Sequence, residues 1–207
     1  MKLFTSSTSV FVRKVRIVVR EKGLVGRIEE IPAVPVEAAP ELVAVNPISQ
    51  LPALIDDDGN AWTDSSLIAA WLDRQGPSSA LNPTPVLLPD YGSDAYWRVR
   101  RLETVASGMT EMLAKIVYEN RRPENERSPF WLTRWEGNLM RAFAHAETVC
   151  PAADVFDMGT LSLAIAATFC DFRQPHLDWR AVAPKIAAVQ AELEKRQSFI
   201  DTYPKQV

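Results

Sequence analysis

Over roughly the first third of the chain, apolar positions switch between short runs and three-and-four spacing. Strands and helices taking turns in an α/β domain leave this record. Lys2 to Thr5 predicts a strand. From Val10 the apolar residues Phe11, Val12, Val15, Val18 and Val19 recur three and four apart, with Arg13, Lys14, Arg16 and Arg20 between them, which predicts a helix. Gly23 can adopt the left-handed conformation that closes it, and Arg27 to Ile31 predicts the second strand of a βαβ unit. After the proline-rich stretch Pro32 to Pro40, a short helix is expected over Pro40 to Val45. Ala53 to Ile55 and Ala61 to Thr63 flank Asp56, Asp57, Asp58, Gly59 and Asn60, a turn whose Asp-Gly pair predicts an antiparallel hairpin. A further helix begins near Ser65, with Leu67, Ile68, Trp71 and Leu72 as its apolar residues.

The pattern then changes. Residues 76–89 are proline-rich and lack periodicity, and beyond them only helical stripes recur. Leu102, Val105, Met109, Met112 and Ile116 form one stripe; Trp131, Trp135, Leu139, Phe143 and Ala146 form the next. Ser128 followed by Pro129 is a sound start for that second helix. The expected organisation is an α/β domain over residues 1–76, a linker over 77–90 and an all-α bundle over 91–207.

Composition narrows the function. An apolar fraction of 47% with 24% charged residues belongs to a folded globular chain. A net charge of -3 gives no electrostatic reason for a nucleic-acid partner. No apolar run reaches the roughly 20 residues of a membrane-spanning helix, and the N-terminus lacks the layout of a secretory signal. The expected location is therefore cytoplasmic, with no membrane partner. Cys150 and Cys170 read as buried free thiols, and with only His145 and His176 beside them no metal site is expected.

Between the first strand and the first helix lie Thr5, Ser6, Ser7, Thr8 and Ser9. One reading is capping alone, since a hydroxyl at a helix start satisfies an unpaired amide. The other is anion stabilisation. Aligned peptide dipoles, free amides and a hydroxyl donor favour a bound thiolate, whose thiol otherwise has a pKa of about 8.5.

Ser9 to Val15 resembles the Ser-Pro-Phe-Val-Arg-Lys segment of the bacterial glutathione transferases, in which the serine faces the glutathione sulfur. Asn46 to Leu54 is similar to the family's Asn-Pro-x-x-x-Val-Pro-x-Leu stretch, with Pro52 in the place of its cis-proline, and Asp64 with Ser65 resembles its acidic-Ser pair. The resemblance covers essentially the whole chain. It implies a thioredoxin-like βαβαββα N-terminal domain followed by an α-helical bundle, and a serine-type glutathione S-transferase that uses glutathione as co-substrate.

The resemblance also assigns roles. Ser9 stabilises the thiolate, and the Leu51 backbone beside Pro52 clasps the cysteinyl part. Asp64 and Ser65 hold the γ-glutamyl end, and Gln50 reaches toward the glycyl end. Capping or loop solvation remains an alternative for Asp64, Ser65 and Gln50 taken singly. A small apolar electrophile is expected near Phe11 and Thr110, although Met109 and Leu113 at helical spacing are more often simple core. A homodimer is implied as well. Two departures stand out: Val10 replaces the usual proline after the serine, and Asp157 with Thr160 reverses the usual order of a helix cap in the bundle, which still permits a cap and is expected to weaken the reciprocal capping box. The same site would also serve glutathione-dependent peroxide or disulfide reduction, or a non-catalytic glutathione-binding or regulatory protein.

Overall fold

Four strands form a mixed sheet in the order β2-β1-β3-β4, and the helices between them bury its apolar residues. The strands are β1 (Lys2–Thr5), β2 (Glu29–Pro32), β3 (Ala53–Ile55) and β4 (Ala61–Thr63). The intervening helices are α1 (Val10–Glu21), α2 (Pro40–Val45) and α3 (Ser65–Asp73). This is the βαβαββα order. β1 runs parallel to β2 and antiparallel to β3, which pairs antiparallel with β4. This computed structural model describes residues 1–76, 78–79 and 82–205; residues 77, 80 and 81 of the expected linker and 206–207 of the expected second domain lie outside the described residues. The chain divides into one unit of Met1–Leu87 with Gln197–Val207, and another of Leu88–Arg196.

Local chemistry sets the limits of α1. Ser9 caps its start, and Gly23 at φ 66° closes its end with Gly23 N–H donating to the Arg20 carbonyl and Leu24 N–H to that of Val19. Phe4, Val12, Leu42, Leu51 and Ala53 form one core cluster, so β1, α1, α2 and the approach to β3 share buried surface. The β3–β4 hairpin is organised by Asp56. Its carboxylate accepts N–H groups from the Trp62 indole at 2.8 Å, the Asn60 side chain at 3.0 Å and the backbones of Asp58 and Asn60 at 3.0 and 2.8 Å. These bonds, the Trp62 indole's foremost, lower its pKa from 3.8 to about 2. A depressed carboxylate pKa means stability that is present above the unfolded value and lost as pH falls toward the folded one. The melting temperature should therefore decline between about pH 4 and pH 2, and Asp56→Asn should flatten that decline in acid melts while lowering the melting temperature at neutral pH.

The first unit extends past residue 76 because an ion pair holds the following segment. Lys22 Nζ lies 3.2 Å from Asp73 Oδ1, both side chains being almost fully buried, and donates to the Pro85 carbonyl at 2.8 Å. Leu87 N–H donates to the same Asp73 oxygen at 3.1 Å. Gly76 sits against this lysine: a Cβ there would meet Lys22 Cε at 2.7 Å. Two short strands, β5 (Ser78–Ser79) and β6 (Asn82–Pro83), pair antiparallel in the segment read from sequence as an irregular linker.

The expected second domain runs to the chain end, but residues from Gln197 onward belong with the first unit. The short helix α8 (Gln197–Ile200) packs on α1. Ser198 Oγ and Glu21 Oε1 are 2.5 Å apart, Arg20 Nε is 3.6 Å from Asp201, and Arg13 donates to the Phe199 carbonyl at 3.3 Å. The Arg13 guanidinium lies 5.5 Å from the ring centres of both Phe199 and Tyr203.

The second unit is helical: α4 (Asp94–Asn120), α5 (Pro129–Val149), α6 (Met158–Arg173) and α7 (Pro184–Leu193). Ser93 and Ser128 cap the first two. α6 is its centre, buried at every position from Met158 to Cys170 and packed against α4 and α7. The reversed cap is complete: Thr160 N–H donates to Asp157 Oδ1 at 2.9 Å, and Asp157 N–H donates to Thr160 Oγ1 at 3.0 Å. The reversed order thus permits the cap as expected, and both halves of the reciprocal box are made, with the threonine hydroxyl accepting the returning amide. Asp157→Ala should cost about 1–2 kcal/mol, read as a lowered midpoint in urea unfolding with an unchanged slope.

Candidate functional site

The strand register brings three separate stretches of sequence to one edge of the sheet. Phe4 pairs with Ala53, and Ala53 pairs with Thr63 on its other side. The loop leaving β1, the residues entering β3 and the residues leaving β4 therefore all emerge at the same edge. These are Ser6 to Ser9, Gln50 to Pro52, and Asp64 to Ser65. α1 and α3 both start from that edge and pack together.

Ser9 is half-buried, with its backbone extended as an N-cap requires. Its Oγ accepts the Val12 N–H at 3.3 Å, and no acceptor among the described residues takes its own proton. The hydroxyl is thus available as a donor. Its neighbours are differently disposed: Ser6 Oγ lies 3.2 Å from Thr8 Oγ1 and accepts the Thr8 N–H at 3.4 Å, while Ser7 is exposed. The amides of Val10 and Phe11 open the helix with no protein acceptor among the described residues, which leaves positive dipole ends beside the Ser9 hydroxyl.

The Leu51–Pro52 peptide is cis. Leu51 is only 8% exposed, yet no protein group among the described residues hydrogen-bonds its backbone N–H or carbonyl. Buried backbone groups are nearly always paired, so these two are suited to an extended ligand laid beside them. The Gln50 side chain is exposed, and the Gln50 carbonyl accepts the Asn46 side-chain amide at 2.9 Å. Asn46 itself is buried and fixes the turn before Leu51, with its Oδ1 accepting the Ile48 N–H at 3.3 Å.

Asp64 has φ 71° and ψ 126°, a region that costs a non-glycine residue about 1–3 kcal/mol. In this conformation its Oδ1 accepts the N–H groups of Ser66 at 2.8 Å and Leu67 at 3.0 Å. The carboxylate therefore caps α3 with one oxygen. No bond to Oδ2 is formed among the described residues, and the Asp64 side chain is exposed. Ser65 is buried, and its hydroxyl has no protein partner among the described residues. An exposed carboxylate oxygen with the hydroxyl and backbone N–H of Ser65, the one N–H of the first turn of α3 that no acceptor among the described residues takes, can together hold a zwitterionic amino acid head.

Lys14 went unassigned in the sequence and belongs to this edge. Although charged it is only 5% exposed, and its Nζ donates to Ser66 Oγ at 3.0 Å, joining α1 to the first turn of α3. Helical spacing places it between apolar stripes without showing that α3 covers it. Of the residues expected near an electrophile, Phe11 is half-buried on α1. Thr110, in the second unit, is 6% exposed and donates its hydroxyl to the Ala106 carbonyl at 3.0 Å, a bond within α4.

Both cysteines are free and lie in the second unit. Burial pushes the Cys150 thiol up to about 11 and the buried Cys170 thiol up to about 12, so neither is a thiolate at neutral pH. Among the described residues no three His, Cys, Asp or Glu side chains come together as a metal site, and no helix is long and apolar enough to cross a membrane.

Residues 8–75 match the family described as glutathione S-transferase, N-terminal domain. Over 99% of its length the chain is 29% identical to the uncharacterized GST-like protein YibF of Escherichia coli K12, covering 98% of that protein. A glutathione transferase family member from Pseudomonas fluorescens Pf-5, solved with bound glutathione, is 31% identical, with 99% of each chain covered and a TM-score of 0.87. A second structure from that bacterium, with bound S-(propanoic acid)-glutathione, is also 31% identical, covers both chains fully and has a TM-score of 0.84.

Proposed function

Because this chain belongs to the glutathione transferase family, we propose that it binds glutathione along the loop edge of its sheet and conjugates the glutathione thiolate to a small apolar electrophile. The observation that carries the reading is the disposition of Ser9. Its oxygen accepts the Val12 amide and no acceptor among the described residues takes its proton, so the hydroxyl is able to donate to a sulfur anion at the opening of α1. A thiolate there is stabilised by that bond and by the amides of Val10 and Phe11, and the stabilised anion is the nucleophile.

The rest of the tripeptide follows the edge. The Leu51 main chain pairs with the cysteinyl backbone. Asp64 Oδ2 meets the γ-glutamyl ammonium, the hydroxyl and backbone N–H of Ser65 meet its α-carboxylate, and Gln50 lies toward the glycyl end. Phe11, in the first turn of α1, borders the electrophile. The thiolate attacks the electrophilic carbon, forming the C–S bond. In substitution the leaving group departs with its electron pair, and in addition to an α,β-unsaturated acceptor the electron pair moves onto the acceptor and is protonated. S-(propanoic acid)-glutathione, held by the Pseudomonas fluorescens relative, is a thioether of the class this reaction produces. We place the protein in the cytoplasm as a homodimer.

The test is a melt with and without millimolar glutathione, followed by conjugation assays with chlorinated aromatic and α,β-unsaturated compounds. Stabilisation with turnover is the expected outcome. Stabilisation without turnover identifies a binding protein of the same fold, and turnover with peroxides alone identifies the reductive reaction.

A further inference from the structure

We infer that Lys14 is a positioning residue for the γ-glutamyl end of glutathione, acting through Ser66 on the turn that opens α3; this rests on the function proposed above. The turn is unusual in two respects at once. Asp64 is held at φ 71°, where a side chain is disfavoured, and the same residue both caps the helix and presents its second carboxylate oxygen outward. Relaxation of Asp64 toward ordinary φ would swing that carboxylate and the Ser65 hydroxyl away from each other. Something must therefore oppose relaxation.

The Asp64 cap bonds oppose it from within the turn, because Oδ1 grips the amides of Ser66 and Leu67. Lys14 opposes it from outside. Its ammonium, buried on α1 five positions after Ser9, donates to Ser66 Oγ at 3.0 Å, so the residue whose amide Asp64 grips is tied to the helix that carries the sulfur site. A charged donor makes this bond stronger than a neutral one, and burial limits competition from water. One side chain thereby sets the distance between the two sites that receive opposite ends of the tripeptide. A lysine is suited to this span: its stem packs as an apolar chain while its head reaches the neighbouring helix. Lys14 touches neither sulfur nor carboxylate in this scheme. Its effect should fall on the recognition of one end of the ligand.

The experiment is a double-mutant cycle of Lys14→Met and Ser66→Ala, read as the glutathione Kd by calorimetry, with KM and kcat measured alongside. Lys14→Met is expected to raise Kd about tenfold, the worth of one charge-assisted hydrogen bond, and Ser66→Ala about threefold. The double variant should bind no worse than Lys14→Met alone, because both changes remove the same bond. The loss should fall on the glutathione KM more than on kcat, and γ-glutamylcysteine, which keeps the γ-glutamyl end and lacks glycine, should suffer the same fold-loss as glutathione. An unchanged Kd in a Lys14→Met protein that melts cooperatively overturns the role, as do strictly additive losses or a loss confined to kcat. Should Lys14→Met fail to fold, Ser66→Ala decides alone, and an unchanged Kd there has the same meaning. If the wild type binds no glutathione at millimolar supply, the proposed function itself is lost; if it binds and the variants match it, only the part played by Lys14 is lost.

Discussion

Ser9→Ala is expected to lower kcat/KM for conjugation by about 10²-fold, the usual effect of deleting one preorganised donor to a developing or bound anion. The size follows from the thiol. At a pKa of about 8.5 only a few per cent of free thiol is ionised at neutral pH, and each unit by which a site lowers that value is worth about 1.4 kcal/mol. Deleting the hydroxyl leaves the amides of Val10 and Phe11, so some anion stabilisation survives. The pH-rate profile is the diagnostic measurement: its acid limb should move to higher pH in the variant, toward the ionisation of free glutathione. Ser9→Ala also removes the N-cap from Val12 at about 1 kcal/mol, so assays belong well below the melting temperature of the variant. Full retention of turnover would transfer the donor role to Ser6, Ser7 or Thr8.

The largest expected loss of stability is that of Asp73→Ala, about 3–5 kcal/mol, or a fall of roughly 10 °C in melting temperature for a chain of this length. Lys22 and Asp73 side chains are 4% and 1% exposed, so removing the carboxylate leaves a buried ammonium with only the Pro85 carbonyl on it among the described residues. The Leu87 amide loses its acceptor at the same time. A double replacement, Lys22→Met with Asp73→Leu, should recover much of the loss, because the penalty of a broken buried pair is chiefly the stranded charge. Melts of the three variants check this, and a double replacement as unstable as Asp73→Ala would assign the cost to the Leu87 amide.

The elements of the first unit were legible because their signals are local. Gly23 at φ 66° and Gly59 at φ 85° stand where the sequence marks a helix end and a hairpin turn, and the strands Lys2–Thr5, Ala53–Ile55 and Ala61–Thr63 have their expected limits. The stretches of the candidate site were singled out through resemblance. That they share one edge became a physical statement only with the strand register, since pairing partners lie about fifty residues apart. What escaped the sequence depends on long-range neighbours. Arg13 and Lys14 read as polar positions between apolar stripes, yet both are 5% exposed, because α8 covers one and α3 meets the other. Asp56 read as one acidic turn residue among three, and only the Trp62 indole six residues later distinguishes it. Lys22 and Asp73 carry no local signal of burial. The reversed cap at Asp157 forms as the sequence allows, because either partner is able to accept an amide.

The first unit is assembled from both ends of the chain, with Gln197–Val207 returning to α1. During synthesis the ribosome must therefore emit every residue of the helical unit before Arg13 can stack on Phe199 and Tyr203. Until then the flank of the helix that begins at Ser9 stays bare, and a nascent or truncated product ending at Leu87 should be a target for proteases and chaperones.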